Sequence, residues 1–137
     1  AMFEAKGIDF ASLKPDEADP FTQASSDGRG FAVSGGVAKA VVNCIKAKEP
    51  EREVLVESAE GLANCKKMLK LAKSGKYDGY LLEGMACPGG CVAGAGTLLP
   101  ITRATTAVKK YTNSSDKLNA NDSKYKDYLE RLIEEYK

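Results

Sequence analysis

Tyr80-Leu81-Leu82-Glu83-Gly84-Met85-Ala86-Cys87-Pro88-Gly89-Gly90-Cys91 reads as an apolar strand that runs straight into a loop with few side chains. The strand signal spans 77–85, and Val92-Ala93-Gly94-Ala95-Gly96 prolongs the small-residue run behind the second thiol. Glycines let the backbone approach a bulky group closely, and two thiols around a Pro-Gly-Gly turn converge on one point. The spacing alone also fits a tight strand-to-helix turn with incidental thiols. A redox dithiol is a third option, although Cys-x-x-Cys is its usual form. The chain contains no histidine. That excludes histidine acid–base chemistry and His-ligated metal, so any transition metal is expected to be held through sulfur.

Outward from the loop, two more β-type runs lie upstream, each followed by a helical pattern. Phe31-Ala32-Val33-Ser34 turns at Gly35-Gly36 into a predicted helix over 37–48, with apolar residues at 37, 41, 42, 44 and 45 and Pro50 as its stop. Glu53-Val54-Leu55-Val56-Glu57 leads through Ser58, a predicted N-cap, into a helix over 59–74. Its stripe is Leu62, Cys65, Met68, Leu69 and Ala72, with Lys67 and Lys70 on the far side and Gly75 as a left-handed cap. Strand–helix–strand–helix–strand predicts an α/β fold: a small three-layer parallel sheet with crossover helices. Ligand sites in such sheets gather at the carboxyl ends of strands, where Gly35-Gly36 and the Cys87–Cys91 loop both fall. Residues 3–29 read as an irregular lead-in with a turn of helix near Leu13–Glu17. The α/β lobe is expected over 30–112, including a helix over 98–111. A linker and a last helix over 123–136 are expected within 113–137. Ala1-Met2 reads as a tag remnant.

At 137 residues the chain is one domain or a piece of one. Its 43% hydrophobic and 28% charged content and net charge of +1 carry no footprint for nucleic acid or a membrane surface. No run approaches the roughly 20 apolar residues of a membrane span. Four cysteines are too sparse for a disulfide scaffold and favour a cytoplasmic setting. Cys44 and Cys65 lie on helix stripes and read as core packing. Ser34-Gly35-Gly36-Val37 offers amides to an anion at a helix N-terminus, but without a full phosphate-binding motif.

Met85-Ala86-Cys87-Pro88-Gly89-Gly90-Cys91-Val92-Ala93-Gly94-Ala95-Gly96 resembles the last cysteine motif of the iron-only hydrogenase large subunit family. Gly7-Ile8-Asp9-Phe10, Leu13, Glu17, Asp19, Pro20-Phe21 and Phe31-Ala32-Val33-Ser34-Gly35-Gly36-Val37 follow that family's order, so the resemblance covers about residues 3–100. It implies one lobe of a catalytic domain that faces a partner lobe across a 4Fe–4S cube joined to a two-iron unit, where protons, electrons and hydrogen interconvert. By motif position, Cys91 resembles the cysteine bridging cube and two-iron unit, and Cys87 a ligand of the cube alone. Met85 resembles the methionine packed beside the two-iron unit, and Ser34, Gly35 and Gly36 the loop closing its pocket. The family's other two cysteine ligands, its cyanide-contacting lysine and its proton-relay cysteine have no counterpart here. The tail after Gly96 also departs from the better-known members.

The resemblance therefore implies a piece of a hydrogenase-like oxidoreductase that supplies two of four cysteine ligands, is inactive alone and lacks the cluster when isolated. The alternative is a hydrogenase-like iron–sulfur protein of assembly or sensing without hydrogenase activity. Expected partners are the missing N-terminal lobe, an electron carrier such as ferredoxin, and a second copy in a homodimer.

Overall fold

The computed structural model describes residues 1–14, 24–123 and 125–136. In chain order the helices and strands are α1 (Met2–Ala5), α2 (Ser26–Arg29), α3 (Gly36–Lys48), β1 (Val56–Glu60), α4 (Leu62–Lys73), β2 (Leu81–Met85), α5 (Ile101–Asn113) and α6 (Lys126–Glu135). Short 3₁₀ turns lie at Phe10–Ser12, Gly30–Ala32, Cys91–Ala93 and Ala120–Asp122.

The unit that positions the loop is β1–α4–β2. Its strands pair in parallel, with Val56 opposite Leu81 and Glu60 opposite Met85. Successive strand side chains point to opposite faces, so Glu83 and Gly84 serve different neighbours. Glu83 reaches the N-terminus of α3. On the other face α4 packs so closely that a Cβ at Gly84 would meet the Cys65 Sγ at 3.3 Å. Helix, sheet and helix thus make three layers, and the α/β class expected from the sequence is observed.

The sheet has two strands among the described residues, not three. The expected first strand, Phe31–Ser34, is instead a 3₁₀ turn followed by extended Val33. Local hydrogen bonds defeat the β propensity of so short a run. Ser25 caps α2 by accepting from the Gly28 N–H, Val33 N–H donates to the Gly30 carbonyl, and Gly36 N–H donates to the Val33 carbonyl. The second expected strand lies three residues later than its apolar centre suggests. Pairing with β2 holds Ser58 opposite Glu83, so Ser58 stays in the strand and Gly61, at φ +76°, opens α4 instead.

The helices agree better in extent than in orientation. α3 begins one residue before the predicted start and ends before Pro50; of its expected stripe Val42, Cys44 and Ile45 are half-buried while Val37 and Val41 are exposed, and the buried residues are Ala38 and Ala40. In α4, Met68 is buried and Cys65 and Ala72 are half-buried as expected, but Leu62 is 74% exposed. Gly75, at φ +85°, takes the expected left-handed position after α4. α5 starts after Pro100, and α6 is shorter than the predicted 123–136 helix. The expected turn near Leu13–Glu17 falls mostly outside the described residues.

The segment after α5 is tied back to α2. Ser26 and Asp27 N–H groups donate to the Lys117 and Leu118 carbonyls at 2.7 and 3.0 Å. The Arg29 guanidinium donates to the Tyr111 carbonyl and lies over the Tyr111 ring, 4.3 Å from its centre. Buried Asp27 accepts from Asn43 of α3 at 2.9 and 3.0 Å.

These polar ties accompany a thin core. The buried apolar residues among those described are Ala38, Ala40, Met68 and Val92, and no described side chain is fully buried. The chain exposes 10633 Å², against roughly 6,900 Å² for a compact monomer of its mass.

Gly36 tests the close turn between α2 and α3. A Cβ there would fall 2.0 Å from the Gly30 carbonyl oxygen. Gly36→Ala is expected to cost about 1–3 kcal/mol or more of stability in urea denaturation. Gly30→Ala, whose Cβ meets Thr112 at an ordinary 3.9 Å, is expected to stay within about 0.5 kcal/mol of the parent.

Candidate metal centre

The loop after β2 is a closed turn. Gly90 N–H donates to the Cys87 carbonyl at 3.0 Å, and Ala93 N–H to the Gly90 carbonyl at 3.0 Å. Gly89 and Gly90 stand at φ +89° and +95°, a region that disfavours side-chain-bearing residues. Cys87 and Cys91 flank this turn as free thiols, one half-buried and one exposed.

A second loop meets it. Ser34 N–H donates to the Gly89 carbonyl at 3.1 Å. A Cβ at Gly90 would lie 2.6 Å from the Ser34 nitrogen, 2.7 Å from the Ala32 oxygen and 3.0 Å from the Met85 Sδ. Ser34 and Met85 therefore converge on the turn between the cysteines. Gly35 and Gly36 lie one step further off. With Ser34, Lys39, Lys109 and Thr112 they line a cavity of about 220 Å³ that neither thiol borders.

The anion suggested by the amides at the start of α3 is present within the chain. Glu83, 8% exposed, accepts from the Gly35, Val37 and Ala38 N–H groups at 2.6, 3.0 and 3.0 Å. These donors and the positive end of the helix dipole make a buried carboxylate tolerable. The sequence held a signal for this: a lone acid in an apolar strand needs donors, and the Gly35-Gly36 turn supplies them. A second carboxylate left no such signal. Glu60 accepts from the Gly89 N–H at 2.6 Å, a contact created by extension of β1 past its apolar centre.

The other two cysteines pack as expected. Cys44 is half-buried, and the Cys65 Sγ lies 3.5 Å from both the Ala59 and the Met85 carbonyl oxygens. Among the described residues no group of three or more His, Cys, Asp or Glu side chains is arranged to hold a metal ion. A larger cavity, about 530 Å³, runs beside β1 and is lined by Glu57, Glu60, Asn64, Lys76 and Tyr77 among others, without the thiols. Burial, and then the Glu57 carboxylate, push the Tyr77 hydroxyl above its ordinary value.

Residues 1–95 match the family described as the iron only hydrogenase large subunit, C-terminal domain, and the chain belongs to it. One relative is the "Periplasmic [Fe] hydrogenase large subunit" of Nitratidesulfovibrio vulgaris. It is 30% identical over 122 residues that cover 69% of this chain and 29% of the relative. Another is the "NADP-reducing hydrogenase subunit HndD" of Solidesulfovibrio fructosivorans, 29% identical over 122 residues covering 69% of this chain and 21% of the relative. The chain thus spans less than a third of the length of either relative. The family match ends just past the cysteine loop, so α5 and α6 lie beyond it. Among the described residues no helix is long and apolar enough to cross a membrane.

Glu83→Ala would orphan three amides at once. It is expected to cost about 2–4 kcal/mol in urea denaturation and to speed amide exchange at Val37 and Ala38, whereas Glu83→Gln, which keeps an acceptor, should lose about half as much.

Proposed function

We propose that this chain is one lobe of an iron-only hydrogenase-like oxidoreductase, in which Cys87 and Cys91 supply two of the four cysteine ligands of an active-site iron–sulfur cluster. The observation that carries this reading is the closed glycine turn flanked by two free thiols, Cys87 half-buried and Cys91 exposed, while Ser34 and Met85 pack against its centre. The donor set fits half of such a site. Thiolates suit iron–sulfur clusters, and backbone without side chains permits their close approach. Cys91 would bridge the 4Fe–4S cube and the two-iron unit, and Cys87 would ligate the cube alone. Bound in place, that cluster supplies electron and proton exchange with hydrogen. The chain's own residues do the holding: the two thiolates bind, Met85 gives an apolar wall, and the Ser34-Gly35-Gly36 loop closes the side of the pocket.

The thin core supports a missing second lobe. Leu98, Leu99 and Ile101 follow directly on the cysteine loop and remain exposed, Leu98 at 96%. Apolar surface of this extent beside a site is suited to coverage by another protein surface. The remaining two ligands would come from that N-terminal lobe, electrons from a carrier protein such as ferredoxin, and the cytoplasm remains the proposed setting. Alone, the chain is inactive.

Anaerobic iron–sulfur reconstitution tests this reading, with Cys87→Ser and Cys91→Ser controls and iron and sulfide analysis. Labile, substoichiometric iron lost in either variant, without hydrogen turnover, is expected. Iron retained in both variants overturns the assignment. Stable, near-stoichiometric cluster needing both cysteines would instead favour an assembly or sensing protein.

A further inference from the structure

Gly89 is held through both of the peptide units that meet at its Cα. Its carbonyl accepts from Ser34 N–H at 3.1 Å, and its N–H donates to the Glu60 carboxylate at 2.6 Å. Gly89 lies midway between the two candidate ligands. Its neighbour Gly90 closes the turn on the Cys87 carbonyl and has no room for a side chain. Whatever fixes the Pro88–Gly89 and Gly89–Gly90 peptide planes therefore fixes how Cys87 and Cys91 leave the turn.

We infer that Glu60 is a positioning residue of this centre: its carboxylate sets the orientation of the Pro88–Gly89 peptide and so preorganises the two thiols for a metal. The inference rests on the reading of Cys87 and Cys91 as ligands, which the proposed function makes. Glu60 acts on the thiols through the backbone, by way of the Gly89 N–H. Its own strand end is well placed to do so. Glu60 closes β1 opposite Met85, the following Gly61 N–H donates to the Met85 carbonyl at 2.8 Å, and Asn64 of α4 donates to the Glu60 carbonyl at 2.9 Å. The carboxylate thus projects from a backbone anchored to both β2 and α4. Hydrogen bonds that orient metal ligands commonly carry 10–100-fold in metal affinity. A charge-assisted bond to an amide is also stronger than a neutral one.

Glu60→Ala and Glu60→Gln in the whole chain separate this role from general stability. Both variants are checked for folding by circular dichroism, then probed by amide exchange at Gly89 and by anaerobic titration with cobalt(II), followed through its thiolate charge-transfer absorption. Glu60→Ala is expected to speed Gly89 exchange and to weaken cobalt binding by about tenfold or more. Glu60→Gln, which keeps an acceptor oxygen but no charge, is expected to restore both to within about threefold of the parent. A folded Glu60→Ala protein with unchanged Gly89 exchange overturns the inference, as does a Glu60→Gln variant no better than Glu60→Ala. Cobalt absorption that survives Cys87→Ser and Cys91→Ser would overturn the ligand assignment instead, while the Gly89 exchange result would still decide the role of Glu60 in ordering the turn.

Discussion

The site depends on one buried carboxylate. Glu83 sits on β2 two residues before Met85, and its two oxygens collect three amides from the start of α3. An uncompensated charge at this depth would cost several kcal/mol, so the α3 N-terminus and β2 must stay in contact for the fold to persist. That contact delivers Ser34 to Gly89. The loop closing one side of the cysteine turn and the strand launching it are therefore positioned by the same interaction. It also uses up the helix N-terminus, where the chain meets its own anion.

Polar ties of this kind matter more here because apolar packing is so sparse. A protein of this length ordinarily buries large side chains, yet the described core consists of two alanines, a methionine and a valine. Hydrogen bonds contribute only about 1 kcal/mol net each, so they specify geometry better than they supply stability. Asp27 with Asn43, Arg29 with Tyr111 and Glu83 with α3 lock the arrangement of elements, while Leu62, Leu69, Leu98 and Leu99 wait at the surface. A fold specified by polar locks but short of buried area fits the covering lobe proposed above.

Much of this was legible in the sequence, for reasons that can be located. α3, α4 and the strand before Cys87 carried strong periodicity or runs, and Pro50 and Gly75 punctuated them where the structure does. The cysteine turn was legible because its glycines and thiols are adjacent in the chain. What failed depended on distant partners. Phe31–Ser34 looked like a strand until the turn from α2 through Gly30 to Gly36 is seen, and β1 was displaced because its register is set by Leu81–Met85. The face of α3 was read only in part: Val42, Cys44 and Ile45 of the expected stripe are half-buried, Val37 and Val41 are exposed, and the buried Ala38 and Ala40 are too small to give an apolar signal of their own. Glu60 gave no sign at all, because its partner is an amide 29 residues away.

The order of the cysteine turn is consequently non-local. Its two peptides at Gly89 are held, one by Ser34 and the other by Glu60, so the turn stays formed only while α3, β1 and β2 remain assembled. With so little buried area, that assembly has a small margin, and local opening near the site draws on the same margin. Anything that binds the assembled state alone shifts the balance by mass action. A covering lobe and a cluster held by Cys87 and Cys91 would both act this way, each favouring the geometry the other needs. On the proposed reading, completion of the apolar surface and completion of the metal site would be one coupled event rather than two, meeting at the two peptides of Gly89.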